Sequence, residues 1–194
     1  IESKTETPLK NAVSLNGAAK SEAFNEWYAT NVYAQRQPGY AVVSVTLPLG
    51  DATADQFRLM AELGRKYVKD SIRTTVEQNI VYRWVSEADV PELYEALENA
   101  GLGAPGASSI VDVTACPGTD TCKLGIASSR GLAAELRTQL AEKNATLDAA
   151  IKNLRIKISG CFNSCGQHHV SDLGFYGISR KVGEYHVPHF QVIL

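Results

Sequence analysis

No long hydrophobic run occurs in this chain of 194 residues. Its apolar stretches are strand-sized, well short of the roughly 20 residues that cross a bilayer as a helix. The first twenty residues, IESKTETPLKNAVSLNGAAK, lack the apolar core of a secretory signal. There is no surplus of either charge: the formal net charge is −2 with 21% charged residues, which argues against a nucleic-acid surface and against an acidic solvating tail. There is no internal repeat and no low-complexity tract. There is also no initiator methionine; the chain begins at Ile1, which points to processing or excision. With no export signal, a reducing, cytoplasmic setting is expected, where thiols favour metal over disulfides. What remains is an ordinary globular composition, 44% hydrophobic, sufficient for one large domain or two small ones.

Cysteine is scarce, and its placement is informative. The four cysteines fall as Cys116-x5-Cys122, then thirty-eight intervening residues, then Cys161-x3-Cys165. Two close pairs around a helix-sized segment suit the ligand set of a single metal centre. Thiolates are soft donors that select zinc or iron–sulfur clusters. Zinc knuckles usually space their pairs two to four residues apart, so the longer first spacer is awkward for zinc. A cubane [4Fe–4S] cluster is wider than one ion and tolerates looser spacers. Gly118, Gly125, Gly160 and Gly166 flank the cysteines and would permit close backbone approach to such a body. Amides at the start of the helix after Cys122 could point toward it and stabilise its reduced state. On these grounds a cluster is favoured, with zinc and a pair of disulfides left as alternatives.

Along the chain, residues 1–39 read as a polar lead-in followed by a short helix over 21–34, with Phe24, Trp27 and Tyr28 as its apolar side. Residues 40–104 read as a βαββα unit. Its parts are a strand over 40–47, a helix opened by a Thr53–Gln56 capping box and carrying Phe57, Met60, Gly64, Tyr67 and Val68, two strands around 77–79, and a helix from Asp89 to Ala100 stopped by Gly101. A Gly/Ala/Pro/Ser linker over 101–109 leads into a cysteine domain over 105–194. There, strands at 110–114 and 154–159 each run straight into a cysteine pair, and Leu132, Leu136 and Leu140 mark a helix reaching about Asn144. Two more strands are predicted near 173–178 and 185–194. The fold class is α+β: a ferredoxin-like half-module, then an α/β cluster-binding domain.

The segments TACPGTDTCKLGIASS and ISGCFNSCGQHHVSDLGFYG closely resemble the cluster-and-siroheme motifs of nitrite and sulfite reductases. WYATNVYAQRQPGY and IRTTVEQNI resemble the segments that precede those motifs, so the likeness runs from about Phe24 onward. The resemblance implies a [4Fe–4S] cluster held by Cys116, Cys122, Cys161 and Cys165. It further implies that Cys165 is shared with siroheme as its axial thiolate, which makes Cys165 the catalytic residue. Asn163 matches a family position that contacts siroheme. The implied reaction is the six-electron reduction of nitrite to ammonia or sulfite to sulfide, with an electron donor such as ferredoxin.

GCFNSCGQ leans toward the ferredoxin-dependent nitrite enzymes. Phe162 departs from the family, where proline is common. Arg73 is a candidate anion or propionate contact, weighed against a surface ion pair. His168 and His169 read as loop or surface residues, Lys123 as a solvated lysine, and Trp27 and Trp84 as core or interface residues. Family enzymes are longer and built of two pseudo-symmetric halves, with the substrate-gripping basic residues in the first. The chain resembles the second half, reads as cut short inside a strand at Leu194, and is expected to lack siroheme and reductase activity without its N-terminal half. Two rival readings are a non-catalytic [4Fe–4S] electron-transfer module and a zinc-stabilised structural domain.

Overall fold

The computed structural model describes residues 7–15, 21–69, 71–143 and 146–194. The chain divides into two compact units, Ile1–Ala107 and Ser108–Leu194. In the first, helix α1 (Glu22–Asn31) opens on Ser21, whose side chain accepts from the Phe24 amide. It stops earlier than its apolar pattern suggests, because Val32 turns extended and begins strand β1 (Val32–Ala34). Strand β2 (Tyr40–Val45), helix α2 (Ala54–Tyr67), strands β3 (Ile72–Thr74) and β4 (Ile80–Ser86), and helix α3 (Val90–Asn99) complete the βαββα order. The sheet order is β1-β2-β4-β3, antiparallel throughout. Arg83 and Trp84 together face Val42, and Trp84 takes φ +64° at this bulge.

Local chemistry explains the helix ends. Thr53 and Gln56 form the full reciprocal capping box at the start of α2. Asp89 precedes α3 without capping it; its carboxylate pairs instead with Lys10 at 2.9 Å. The described part of the lead-in is clamped along this unit. The Tyr40 hydroxyl donates to the Lys10 carbonyl at 2.8 Å, and the Ala88 amide donates to the Val13 carbonyl at 2.9 Å. The core is aromatic and aliphatic: Phe24 and Trp27 from α1, Met60, Leu63 and Tyr67 from α2, Leu93, Tyr94 and Leu97 from α3, and Val43, Val45, Tyr82 and Val85 from the sheet. Phe57, read as part of the apolar stripe of α2, is 49% exposed.

In the second unit the sheet order is β5-β6-β7-β8, built from β5 (Thr114–Ala115), β6 (Ile156–Ser159), β7 (Leu173–Val182) and β8 (Tyr185–Ile193). β5, β6 and β7 are parallel, and β8 returns antiparallel along β7. Helix α4 (Ser129–Lys143) links β5 to β6, followed by the single turn α5 (Ala149–Lys152). The position read as the end of α4, Asn144, lies outside the described residues. The strand expected at 110–114 shrinks to two residues. Ile110 is buried, but its amide donates to the Lys152 carbonyl and that of Asp112 to the Ser109 carbonyl, in a turn rather than a ladder. Arg137 of α4 fastens that turn, donating to the Val111 carbonyl at 2.8 Å beside the buried Asp112 carboxylate. Burial lowers the Arg137 pKa, and Asp112 opposes the shift.

Candidate metal centre

Both cysteine pairs leave the sheet from the same end. Ala115 pairs in register with Ile158 on parallel strands, so Cys116 and the Gly160–Cys161 step emerge side by side at the carboxyl ends of β5 and β6. Ligand sites in parallel sheets sit at such strand ends. The two loops are then bonded to each other. The Cys116 amide donates to the Ile158 carbonyl at 3.1 Å, and the amides of Ile126 and Ala127 both donate to the Gly160 carbonyl, at 2.8 and 3.0 Å. In the reverse direction the Gly160 amide donates to Cys116 Sγ at 3.1 Å.

The glycines act between chain segments. A Cβ on Gly160 would lie 2.6 Å from Gly118 Cα and 2.9 Å from the Ala127 carbonyl oxygen, and one on Gly125 2.7 Å from the Gly118 carbonyl carbon. One on Gly166 would collide with the Ile158 carbonyl. Gly160 therefore lets the two loops meet, Gly125 lets the first loop fold on itself, and Gly166 lets the second lie against β6. The amides at the start of α4 are also engaged locally: Ser129 donates to Ala127, Gly131 to the Ser128 hydroxyl and Leu132 to the Ser128 carbonyl. The Ser129 hydroxyl donates to the Cys116 carbonyl at 2.7 Å and stands 3.5 Å from its sulfur.

All four cysteines are free thiols; Cys116 and Cys161 are buried, and Cys122 and Cys165 are exposed. Among the described residues no three Cys, His, Asp or Glu gather closely enough to hold one metal ion. The four cysteines stand on two loops that are hydrogen-bonded to each other, and four thiolates are the donor set that an iron–sulfur cluster takes. Asn163 and Lys123 are exposed, and Phe162 is 69% exposed. Arg73 belongs to the first unit, where it lies exposed on strand β3 and donates to its neighbour Ile72's carbonyl at 2.6 Å. His168 is not a surface residue. It is 1% exposed, its ring stacks on Tyr176 at 5.0 Å, and its Nδ1 is 2.8 Å from the Ser159 hydroxyl. Lys157 and Ser159 carry little signal in the sequence, because polar residues alternating along a short strand read as solvent-facing, and Ser129 reads as an ordinary helix-start serine.

Two family models match in succession: the nitrite/sulfite reductase ferredoxin-like half domain over residues 33–100, and the nitrite and sulphite reductase 4Fe-4S domain over residues 106–191. This chain belongs to the nitrite and sulfite reductase family. Among family members, a ferredoxin–nitrite reductase of Synechococcus elongatus is 32% identical over 79% of the chain and 29% of its own length. A ferredoxin sulfite reductase of Mycolicibacterium paratuberculosis is 33% identical over 72% of the chain and 25% of its own length. The solved structure of the Mycobacterium tuberculosis NirA protein superposes with a TM-score of 0.66 and 28% identity, covering 84% of the chain and 30% of that protein. The chain thus spans about a quarter to a third of the relatives it matches. The expected cofactors, a [4Fe–4S] cluster and siroheme, are those of this family. No helix among the described residues is long and apolar enough to cross a membrane.

Proposed function

We propose that this chain supplies the cluster- and siroheme-binding part of a ferredoxin-dependent reductase that converts nitrite to ammonia or sulfite to sulfide. One observation carries the reading: the two cysteine loops leave adjacent parallel strands and are stitched together, with a thiol of one receiving an amide of the other at 3.1 Å. When bound, the cluster and siroheme supply one-electron transfer and the iron at which the anion is reduced. The chain's own residues hold that assembly. Cys116, Cys122, Cys161 and Cys165 are the proposed cluster ligands, and Cys165, exposed at the loop tip, is the sulfur offered to siroheme. The Gly160 amide donates to Cys116 Sγ and ties the second loop to the first. Asn163, exposed in the same loop, is the proposed siroheme contact, and Arg73 a contact to the cofactor or to a bound anion. The remaining wall of the cofactor site and the basic grip on substrate are assigned to the family's N-terminal half, and ferredoxin is the proposed donor in a cytoplasmic setting.

The test is anaerobic reconstitution of the chain with iron and sulfide. Four irons and four sulfides per chain, with broad visible absorption that Cys116→Ser removes, are expected. Zinc uptake without visible absorption would replace this reading by a structural zinc domain. In the complete enzyme, Cys165→Ser is expected to abolish six-electron turnover; wild-type turnover by that variant would remove Cys165 from its shared role. The chain alone is expected to reduce neither anion, and measurable reduction by it would overturn the division of labour between halves.

A further inference from the structure

Lys157 is the one lysine or arginine buried among the described residues, at 4% exposure. It sits in the middle of β6, four residues before Cys161. Strand alternation puts Lys157 and Ser159 on one face of β6 and Ile156 and Ile158 on the other. Both polar residues reach the segment around Cys165. Lys157 Nζ donates to Gln167 Oε1 at 2.7 Å, and the Gly166 amide donates to Ser159 Oγ at 3.0 Å. Between these anchors the chain turns tightly: Ser164 and Gln167 have φ of +59° and +62°, and the Gln167 amide donates to the Ser164 carbonyl at 2.8 Å. Cys165 lies inside that turn, so β6 bolts its loop down at two points.

The buried ammonium has three donors, and its one hydrogen-bond partner among the described residues is a neutral amide. No carboxylate pairs with it among the described residues. A buried charge is ordinarily paired, because leaving water without a counter-charge is costly. A centre of four thiolates is anionic. We infer that Lys157 is a positioning residue for the Cys165 turn and the counter-charge of the thiolate centre, favouring its reduced state. This inference rests on the cluster reading above. A unit charge about 10 Å from another at an effective dielectric of about 20 changes an equilibrium constant by on the order of tenfold.

The experiment uses the full chain, reconstituted anaerobically with iron and sulfide, and reads metal content, the reduction potential and exchange of the Gly166 amide. Lys157→Met, which keeps the aliphatic stem, is expected to retain the cluster while its one-electron reduction constant falls about tenfold, about 59 mV to more negative potential. Lys157→Arg is expected to restore the potential. Gln167→Glu keeps the hydrogen bond to the ammonium but neutralises it, and is expected to lower the potential in the same direction. Gly166 exchange should quicken in Lys157→Met and stay slow in Gln167→Glu, which separates the latch from the charge. Should Lys157→Met fail to fold, Gln167→Glu decides the charge effect alone. A loaded wild-type chain whose potential moves in neither variant overturns this inference and leaves the cluster reading standing. A wild-type chain that takes up no iron or sulfide overturns both.

Discussion

In the first unit the interior is filled by side chains. Of the twelve largest fully buried side chains among the described residues, ten belong to it, from Trp27, Tyr67 and Tyr82 to Val90; the second unit contributes Ile158 and His168. Trp27 packs against Tyr94 with ring centroids 4.8 Å apart, and Phe24 meets the same tyrosine edge-on at 5.3 Å. The second unit is closed by backbone instead. Gly118, Gly160 and Gly177 bring three segments into direct contact at the strand ends; of the buried polar groups there, Lys157 and Ser159 bond to the Cys165 turn and His168 bonds to Ser159. The first unit is thus stabilised mainly by apolar area, whereas the interior of the second mainly holds loops in register. The difference matters for function, since thiols need fixed loops more than a large core.

The largest test of this contrast is Trp27→Ala. It should destabilise the first unit by about 3–5 kcal/mol, the range for deleting a buried aromatic. Chemical unfolding followed by circular dichroism measures the loss. Slow exchange of the Gly160 and Ile126 amides should survive, and its collapse would mean that the units do not keep separate stabilities. Next is Gly160→Ala, where the new methyl meets backbone on two sides and should cost about 1–3 kcal/mol by overpacking. Its loss should be read in amide exchange at Ile126 and Ala127 and in lowered iron uptake, with tryptophan fluorescence unmoved, because Trp27 and Trp84 both lie in the first unit. Unaltered loops in the Gly160→Ala variant would show that side chains, not backbone contact, close the second unit.

Thr53→Ala removes one side of the capping box of α2 and should cost about 1 kcal/mol, confined to the first unit and visible as a small shift of the unfolding midpoint. The smallest expected effect is one of pH. Burial, then the neighbouring His169, lowers the pKa of His168 below the ordinary imidazole value of about 6.5. The unfolded chain therefore takes up a proton at a higher pH than the folded one. The stability tied to neutral His168 is present above about pH 6.5 and is lost as pH falls through that value toward the folded pKa. Amide exchange in the second unit between pH 7.5 and 5 should accelerate accordingly, and His168→Phe should flatten the dependence. A first unit that loosened equally over this range would assign the effect elsewhere.

How much could be read from sequence differs between the units for the same reason. In the first, the capping box at Thr53, the helical spacing of Met60, Gly64 and Tyr67, and the strand-like run at 40–47 are local patterns; each became the element it indicates, the strand ending two residues early at Val45. Phe57 misled because it extends that pattern one turn toward the helix start, where its ring stays largely in solvent. In the second unit the cysteine motifs and the strands ahead of them were legible, but the run at 110–114 was not a full strand. Ile110 and Val113 are buried there outside any ladder, and periodicity over so few residues does not separate the two cases.

By itself, the sequence determined the α+β order, the family, and the placement of two cysteine pairs just beyond strands, since all three are written in short-range spacing and in long motifs. Tertiary structure alone decided which polar residues would be covered. Lys157, Ser159 and His168 sit on the polar side of a short alternation or in a loop, where solvent exposure is the default. They are buried because the chain after Cys165 folds back over β6 and bonds to it. That contact joins residues ten and seven positions apart across a turn held by left-handed backbone at Ser164 and Gln167. A strand's own pattern records which way its side chains point, but not what comes to lie over them.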